Sequence, residues 1–471
     1  MTTSGAPAGR SASSFWRLAL SLCATLAVAA AALGVASARR PPDLSQATIA
    51  VDRAVVAGGQ QLVLAGRQPL LDVTPDQVEV TPAVPFTVTT ADTRVTLRFA
   101  APLPYQTDYT VHVRGVTSRH TGIAADWTHT FSTPAYGVYS LVTRGPSRFG
   151  TADRVTRAAP DGSEPVTVLA APGLEGFTVA AGLVVAISRT GDIRTDLIAS
   201  AGPDADVMRL ETPPGTSLAL LRGSAEHGLI GYTVSGQDAT GERTYDSALF
   251  LQDVADLASA PREVTAAAGS PLRVVDWAFI PGTRSLVLQD DTSQVFLTGV
   301  EPGASLVPLG SHEYLLGFLP GTTTLVVLSG TDEAMLDLAS GTTTALPPPG
   351  DAGRTDVLAG KRTMITPTQW VQQFDDITMV ADMASITSRL VHTRDGVETT
   401  VATVPPDLGR LLDSGVSANG QFAWVQLLTA AAPAEDLTSG ATDNSVTVVI
   451  DLATGESLLA APGADPLWVT G

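Results

Sequence analysis

Residues 277–290 read WAFIPGTRSLVLQD: an apolar run, a Pro-Gly turn, and a second apolar run. A second copy, LGFLPGTTTLVVLS, occupies 316–329. Pro281 and Pro320 fix φ, and Gly282 and Gly321 supply the positive φ of such a turn. Each copy is followed by another hairpin, QVFLTGVEPGASLVPLG (294–310) after the first and EAMLDLASGTTTALP (333–347) after the second. The unit is therefore four strands long and then begins again. Self-similarity at roughly 40–50 residues, with four strands per unit, is the pattern of a β-propeller.

Working outward, weaker copies pair FTVAAGLVVAIS (177–188) with DLIASAGPDADVMRL (196–210), and LALLRGSAEHGLIGYTVS (218–235) with SALFLQDVADLASAPREVT (247–265). DVLAGKRTMIT (356–366) precedes ITSRLVHTRDGVETTVATV (386–404), and GVSANGQFAWVQLL (415–428) precedes SVTVVIDLATGESLLAA (445–461). GVYSLVTRG (137–145) and DRVTRAAPDGSEPVTVL (153–169) begin the series without an opening strand, and DPLWVTG (465–471) ends it as an opening strand without a partner. Joined in space they make one more blade, which removes the exposed sheet edges of an open array. Residues 135–471 are thus expected to form a propeller of seven four-stranded blades closed by the C-terminal strand. Dividing the long, irregular stretch 357–428 differently would give six or eight.

SANGQFAWV, FIPGTRSLVL and FLPGTTTLVV resemble the SPDG-type corner of TolB-like, WD40-like propellers, and DLASG (337–341) and DLATG (451–455) resemble their second-hairpin turn. Asn419-Gly420 is a two-residue hairpin signal, and Asp337 and Asp451 are expected to cap their turns through side-chain bonds to the backbone.

Ahead of the repeat, strand-like runs are TIAVD (48–52), QQLVLAG (60–66), QVEVTP (77–82), FTVTT (86–90), RVTLRFA (94–100), DYTVHVRG (108–115) and WTHTFST (127–133). Several alternate apolar and polar residues, as half-buried strands do. About seven such runs in some 90 residues predict an immunoglobulin-like sandwich. The stretch from VTPDQVEVTP through RVTLRFAAPLPYQTDYTVHVRGV to TGIAADWTHTFSTP resembles the bacterial Ig-like module of S-layer proteins, the SbsA type. The features that match are Leu97, Phe99, Leu103, the strand from Thr107 to Val111, Gly122 and the closing Phe131-Ser132-Thr133. The resemblance implies a spacer or adhesive unit over residues 48–134, and no catalysis.

Leu18 to Ala38 carries 21 residues without a charge, enough to span a bilayer as a helix. Arg10 and Arg17 precede it, which places residues 1–17 in the cytoplasm, and Phe15 and Trp16 sit where an interfacial aromatic pair belongs. The length favours a retained anchor over a cleaved h-region. Ala36-Ser37-Ala38 also fits a signal-peptidase site, and cleavage after Ala38 would leave a secreted protein. Residues 39–47, opened by Pro41 and Pro42, read as a linker. Either way the bulk of the chain is expected outside the membrane.

The chain has 471 residues, 44% apolar but only 16% charged, with 43 Gly and 32 Pro. Turns are therefore frequent and strands short. The net charge is −19, and Lys361 is the only lysine. Without a basic footprint a nucleic-acid partner is disfavoured, and the acidic surplus suits solubility. The near absence of Lys beside abundant Ala, Arg and Gly points to a high-GC bacterial gene. The single cysteine, Cys23, forms neither an intrachain disulfide nor a zinc cluster. It lacks the small residue of a lipobox before it, so it reads as apolar filler.

Catalytic signals are sparse. No G-x-S-x-G elbow occurs, GPSRFG (145–150) having the wrong spacing, and there is no H-E-x-x-H, P-loop or G-x-G-x-x-G. GPDAD (202–206) and GTDEAMLD (330–337) are too thin in acids for a calcium loop. His112, His120 and His129 lie in the first domain, but their spacing does not force convergence on a metal. Asp375-Asp376, in WVQQFDDITMV (370–380), interrupt a strand pattern; with Glu226, His227 and Asp238 they are acid–base candidates against a background of loop residues. No catalytic, cofactor-binding or metal residue is assigned. The expected role is binding or scaffolding at the cell envelope, with a protein or glycan partner on the propeller and the membrane engaged through the N-terminal helix. The alternative is a propeller enzyme of lyase or glycosidase type with its site at the channel mouth.

Overall fold

The computed structural model describes residues 12–38, 40–144, 152–160, 163–190, 194–213, 216–237, 240–266, 269–348, 356–380, 383–432 and 442–470. The side chains of 12–14, 30–38, 380, 383, 384 and 470 are outside that description. Two compact units are present. The smaller takes in Met1–Ala50, Gln61–Ala100 and Asp108–Phe131, and the larger takes in Val51–Gln60, Ala101–Thr107 and Ser132–Gly471.

In the smaller unit seven strands form two antiparallel sheets. β1 (Leu44–Thr48), β2 (Gln61–Gly66), β5 (Arg94–Phe99) and β4 (Phe86–Ala91) make one, in the order β1-β2-β5-β4; β3 (Val78–Thr81), β6 (Asp108–Thr117) and β7 (Ala124–Ser132) make the other. Alternate residues point inward, so Leu62, Leu64, Val95, Leu97, Val111 and Val113 are all fully buried. Phe99 meets Phe131 of the opposite sheet at 6.3 Å between ring centres, and Trp127 donates to the Pro42 carbonyl at 2.6 Å. One expected strand is corrected. TIAVD (48–52) contributes only Thr48 to a strand, Val51–Ala54 being helical, while the strand pairing with β2 is Leu44–Thr48, all but its last residue inside the expected linker 39–47. The cause is tertiary: Ala54, Val55 and Ala57 are buried in the larger unit, and β propensity yields to such burial.

An N-terminal helix covers Ala12–Ala38. Among the described residues no helix is long and apolar enough to cross a membrane; residues 1–11 and the side chains of 30–38, which carry much of the expected anchor and its cleavage site, lie outside the description.

Among the described residues the larger unit holds seven four-stranded antiparallel sheets. Six of them are consecutive in sequence, at 174–209 (blade 2), 217–263 (blade 3), 274–311 (blade 4), 314–345 (blade 5), 357–404 (blade 6) and 409–462 (blade 7). The remaining sheet, blade 1, joins strands Tyr136–Val142, Asp153–Ala158 and Val166–Ala171 to the C-terminal strand Ala464–Thr470. There Thr470 pairs with Tyr136 and Ala464 with Leu141. A separate apolar cluster fills each junction: 1/2 around Leu141 and Phe177, 2/3 around Ile187 and Tyr232, 3/4 around Leu251 and Trp277, 4/5 around Val287 and Val327, 5/6 around Val326 and Met364, 6/7 around Leu390 and Ile450, and 7/1 around Phe422 and Tyr136. Seven junctions among seven blades close the ring, and the fold is a β-propeller. A blade buries both faces, which is why Leu286, Val287 and Leu288 are consecutive and all fully buried.

The repeated Pro-Gly stretch is the turn between the innermost strand of a blade and the next. Thr283 N donates to Ile280 O at 3.2 Å and Thr322 N to Leu319 O at 3.1 Å, with φ of 71° at Gly282 and 65° at Gly321. Pro at the second and a positive φ at the third position is the type II pattern. In blade 7 the corresponding corner is not the expected two-residue hairpin. Four residues separate Ser417 from Phe422, whose backbone oxygen accepts from Ser417 N at 2.9 Å. Asn419 acts through its side chain instead: Oδ1 accepts from Ser417 Oγ at 2.8 Å and Gln421 N at 3.0 Å.

These corners meet the two early segments of the same unit. Gly58 N donates to Gly321 O at 3.0 Å, Asn419 Nδ2 to Leu103 O at 3.3 Å, and Tyr105 N to Gln421 Oε1 at 2.9 Å. Tyr105 also enters the 7/1 junction, stacked on Phe422 at 6.1 Å and tilted against Tyr136 at 5.6 Å, with Trp468 of the closing strand 5.6 Å from Phe422. Asp337 and Asp451 cap their turns as expected: Asp337 Oδ1 accepts from Ala339 N at 2.8 Å and Ser340 N at 3.0 Å, and Asp451 Oδ1 from Ala453 N at 2.8 Å and Thr454 N at 3.0 Å. Those amide bonds, Ser340 first and Ala339 next, hold the Asp337 carboxyl below its ordinary value.

The two Pro-Gly corners make unequal demands. A methyl at Gly282 would come no nearer than 4.0 Å to Ala57, whereas at Gly321 it would fall 2.2 Å from Pro102 Cγ and 3.2 Å from Gly58 N. Gly282→Ala is expected to cost only the left-handed backbone penalty, about 1–2 kcal/mol. Gly321→Ala adds overpacking of about 1–3 kcal/mol. Urea unfolding of the two variants checks this, and equal midpoints would refute the seating of Pro102 on the blade 5 corner.

Candidate functional site

The first strands of successive blades neighbour one another at the 1/2, 2/3, 3/4, 4/5 and 6/7 junctions, as the innermost strands around a propeller axis do. They are Leu174–Ala180, Ser217–Ser224, Val274–Phe279, Tyr314–Phe318, Val357–Thr366, Gly409–Val416 and, in blade 1, Ala464–Thr470. Every one of them breaks register with its partner, between Leu174 and Gly176, Ala219 and Arg222, Val274 and Asp276, Leu315 and Gly317, Ala359 and Arg362, Leu411 and Asp413, and Ala464 and Leu467. A bulge loops out one or two unpaired residues and re-aims their side chains. Blades 1, 3 and 6 loop out two residues and the others one; the exposed side chain in each blade is that of Glu175, Leu220, Val275, Leu316, Lys361, Leu412 or Asp465. The bulges lie toward the start of their strands, whereas the corners that meet Val51–Gln60 and Ala101–Thr107 lie at the ends. The ring of bulge residues therefore lines the other mouth of the channel.

Four members of this ring are aliphatic and three are charged. Glu175 is paired with Arg189. Lys361, the only lysine, bonds Asp413 at 2.9 Å and lies 5.6 Å from the centre of the Trp424 ring. One level further in, Arg222 pairs with Asp276 at 2.8 Å. Asp465 has no hydrogen-bond or ion-pair partner among the described residues. Water reaches it from the channel, but protein walls surround it, and this burial raises its pKa, helped by the Asp413 charge and opposed by that of Lys361. Beside it a cavity of about 400 Å³ opens among Glu175, Phe177, Leu218, Leu220, Arg222 and Asp465. A larger cleft of about 600 Å³ among Arg194, Arg209 and Glu211 sits on the outer rim of blade 2, away from the axis.

The residues singled out in the sequence are scattered. His112 Nδ1 meets Thr128 Oγ1 at 2.9 Å, His129 stacks on Phe131 at 6.2 Å, and His120 is exposed. Burial lowers the His129 pKa. Among the described residues no three His, Cys, Asp or Glu are grouped to hold a metal ion. Asp375 and Asp376 do not interrupt a strand: Gln369–Val380 runs through both, with Asp375 accepting from Ser388 Oγ at 2.6 Å and Asp376 from Arg389 Nε at 2.9 Å. The hairpin partner thus satisfies both carboxylates and keeps the strand continuous. His227 Nδ1 faces Ser224 Oγ at 3.2 Å within its own turn; Asp238 and residues 145–150 lie outside the described residues. Sequence reading passed over the bulge ring. Its one readable sign is Asp465-Pro466, since Pro466 cannot donate to a ladder.

No family model matches the chain, and no curated protein matches it. Solved structures do. The periplasmic gluconolactonase PpgL of Pseudomonas aeruginosa is similar over 70% of this chain and 99% of its own, at 12% identity and a TM-score of 0.40. TolB of Acinetobacter baumannii is similar over 70% and 80%, at 12% identity and 0.35. The Cps50 (Swd1) β-propeller domain of Myceliophteria thermophila is similar over 63% and 88%, at 8% identity and 0.38. Likenesses this distant carry no argument about activity, and the ring stands on its own hydrogen bonds.

Because the Asp465 pKa is raised on folding, the folded state binds its proton more tightly than the unfolded chain. Stability contributed by this group is thus lost as pH rises from the ordinary 3.8 to the raised folded value. Asp465→Asn, which keeps the shape and tolerates the positive φ, is expected to raise the melting temperature at neutral pH and to lose that advantage below the ordinary value. Thermal melts across pH check this; equal melting of the two chains at neutral pH would contradict an uncompensated carboxylate.

Proposed function

We propose that the chain is an extracytoplasmic binding or scaffolding protein of the cell envelope, anchored by its N-terminal helix and presenting a seven-bladed propeller on an immunoglobulin-like, SbsA-type spacer. The observation that carries the reading is the bulge ring: Leu220, Val275, Leu316 and Leu412 are exposed at one channel mouth beside a fixed set of charges. Apolar residues gathered at an open mouth, rimmed by polar ones, suit recognition of another molecule. The sandwich assignment is supported by the four- and three-stranded sheets of the smaller unit. Membrane attachment is supported by the helix, on which Leu18, Leu20, Leu22, Leu26 and Val28 are all exposed. A protein or a glycan partner fits this face.

The test is cross-linking and affinity capture of the full chain in its native envelope, beside a Val275→Glu/Leu316→Glu variant. Both positions are exposed, so the variant is expected to fold as the parent does. Wild-type chain is expected in the membrane fraction with a reproducible partner that the variant loses. Capture unchanged by the variant, or no partner together with turnover of a glycan panel, would overturn the reading.

A further inference from the structure

The cavity beside Asp465 has features that a general docking surface does not need. Its charges are paired except one: Glu175 is engaged by Arg189, and Arg222 by Asp276 at 2.8 Å. The nearest lysine, Lys361, is held by Asp413 at 2.9 Å. Only the Asp465 carboxylate faces the cavity without a counter-charge among the described residues. Leu218, Leu220 and Phe177 supply an apolar wall.

The backbone holds this arrangement in place. Asp465 and Leu220 adopt positive φ, 52° and 48°, a conformation aspartate accepts readily but leucine takes up only where the surroundings enforce it. Trp277, fully buried, donates its Nε1–H to the Leu220 carbonyl at 3.0 Å and fixes that bulge. Pro466 has no N–H to restore the ladder beside Asp465. Strain at Leu220, on the wall of the cavity that Asp465 faces, marks a prearranged site.

We propose that this cavity binds a primary ammonium group on a short aliphatic stem, with the cation on the Asp465 carboxylate and the stem along Leu220. The proposal rests on the reading of the bulge ring as a binding surface and names what that surface takes. A cation supplies the counter-charge that the wall leaves out, and it does so in a partly desolvated site where charge pairing is strong. Arg222 is neutralised by Asp276 and does not oppose it. A metal ion is a poor alternative, since a single free carboxylate falls short of its ligand demand. The volume, about 400 Å³, lies within the range of small-ligand sites, about 300–1,000 Å³.

The test is calorimetric titration of the full chain and of Asp465→Asn with three probes: Nα-acetyl-lysine methylamide, its uncharged norleucine counterpart, and cadaverine. The lysine derivative or the diamine is expected to bind, the norleucine compound and the Asp465→Asn chain at least about tenfold more weakly. Tighter binding of the lysine derivative identifies a partner's side chain as the source, and tighter binding of cadaverine a free polyamine; either supports the proposal. No binding of either amine at millimolar concentration, or binding that Asp465→Asn shares, overturns it. Because the envelope capture depends on Val275 and Leu316, failure of the amine titration with that capture intact sinks this inference alone, and the reverse sinks the broader reading alone.

Discussion

The ring depends on one pairing: Ala464–Thr470 against Tyr136–Val142. Each of the other six sheets is assembled from neighbours in sequence and would form whether or not the ring closed. Only this sheet joins the two ends of the repeat. Without it, blade 1 would lack its innermost strand, and the 7/1 junction would lose Trp468. An open array of such sheets would also present a bare edge to other chains. Closure converts seven local hairpin assemblies into one object with an axis, and a channel wall exists only because of it.

The seam is reinforced from an unexpected direction. Val55 and Tyr105, which lie between strands of the smaller unit in sequence, are part of the same apolar cluster as Tyr136, Phe422 and Ala461. Tyr105, Tyr136, Phe422 and Trp468 form a continuous set of aromatic contacts. Ring pairs of this kind add to simple area burial. The polar groups follow the same plan, with Gln421 and Asn419 bonding the backbone of residues 103–105. The corners of blades 5 and 7 are thus contact surfaces for the segments 51–60 and 101–107.

How much of this was legible follows from the range of each interaction. The Pro-Gly corners and the Asp337 and Asp451 caps are local, set by a handful of adjacent residues, and they read correctly. Alternation in β2 through β7 is likewise local to each strand. TIAVD failed because its neighbour Val55 answers to a core shared with Tyr105, Tyr136, Phe422 and Ala461, none of them local to it in sequence. Asn419-Gly420 failed as a two-residue hairpin because the asparagine holds a four-residue corner, its oxygen accepting from Ser417 and Gln421 while its Nδ2 donates to the Leu103 carbonyl. Asp375 and Asp376 looked like a break because their partners, Ser388 and Arg389, are visible only once the hairpin is registered. The bulge ring is the extreme case. A bulge is a mismatch between two strands, so no single strand announces it, and the membership of Glu175, Leu316 and Asp465 in one ring has no signature in spacing.

The segments 51–60 and 101–107 also impose an order in time. A chain emerges from its N-terminus, so Val55 and Tyr105 are made before any blade exists. Their seats are the corners of blades 5 and 7 and a seam that waits for Trp468. The earliest-made part of the larger unit is therefore completed by the last strand, and blade 1 holds an unpaired edge along Tyr136–Val142 through the synthesis of all six others. The protein carries its longest-lived exposed edge at the place that the last strand finally covers.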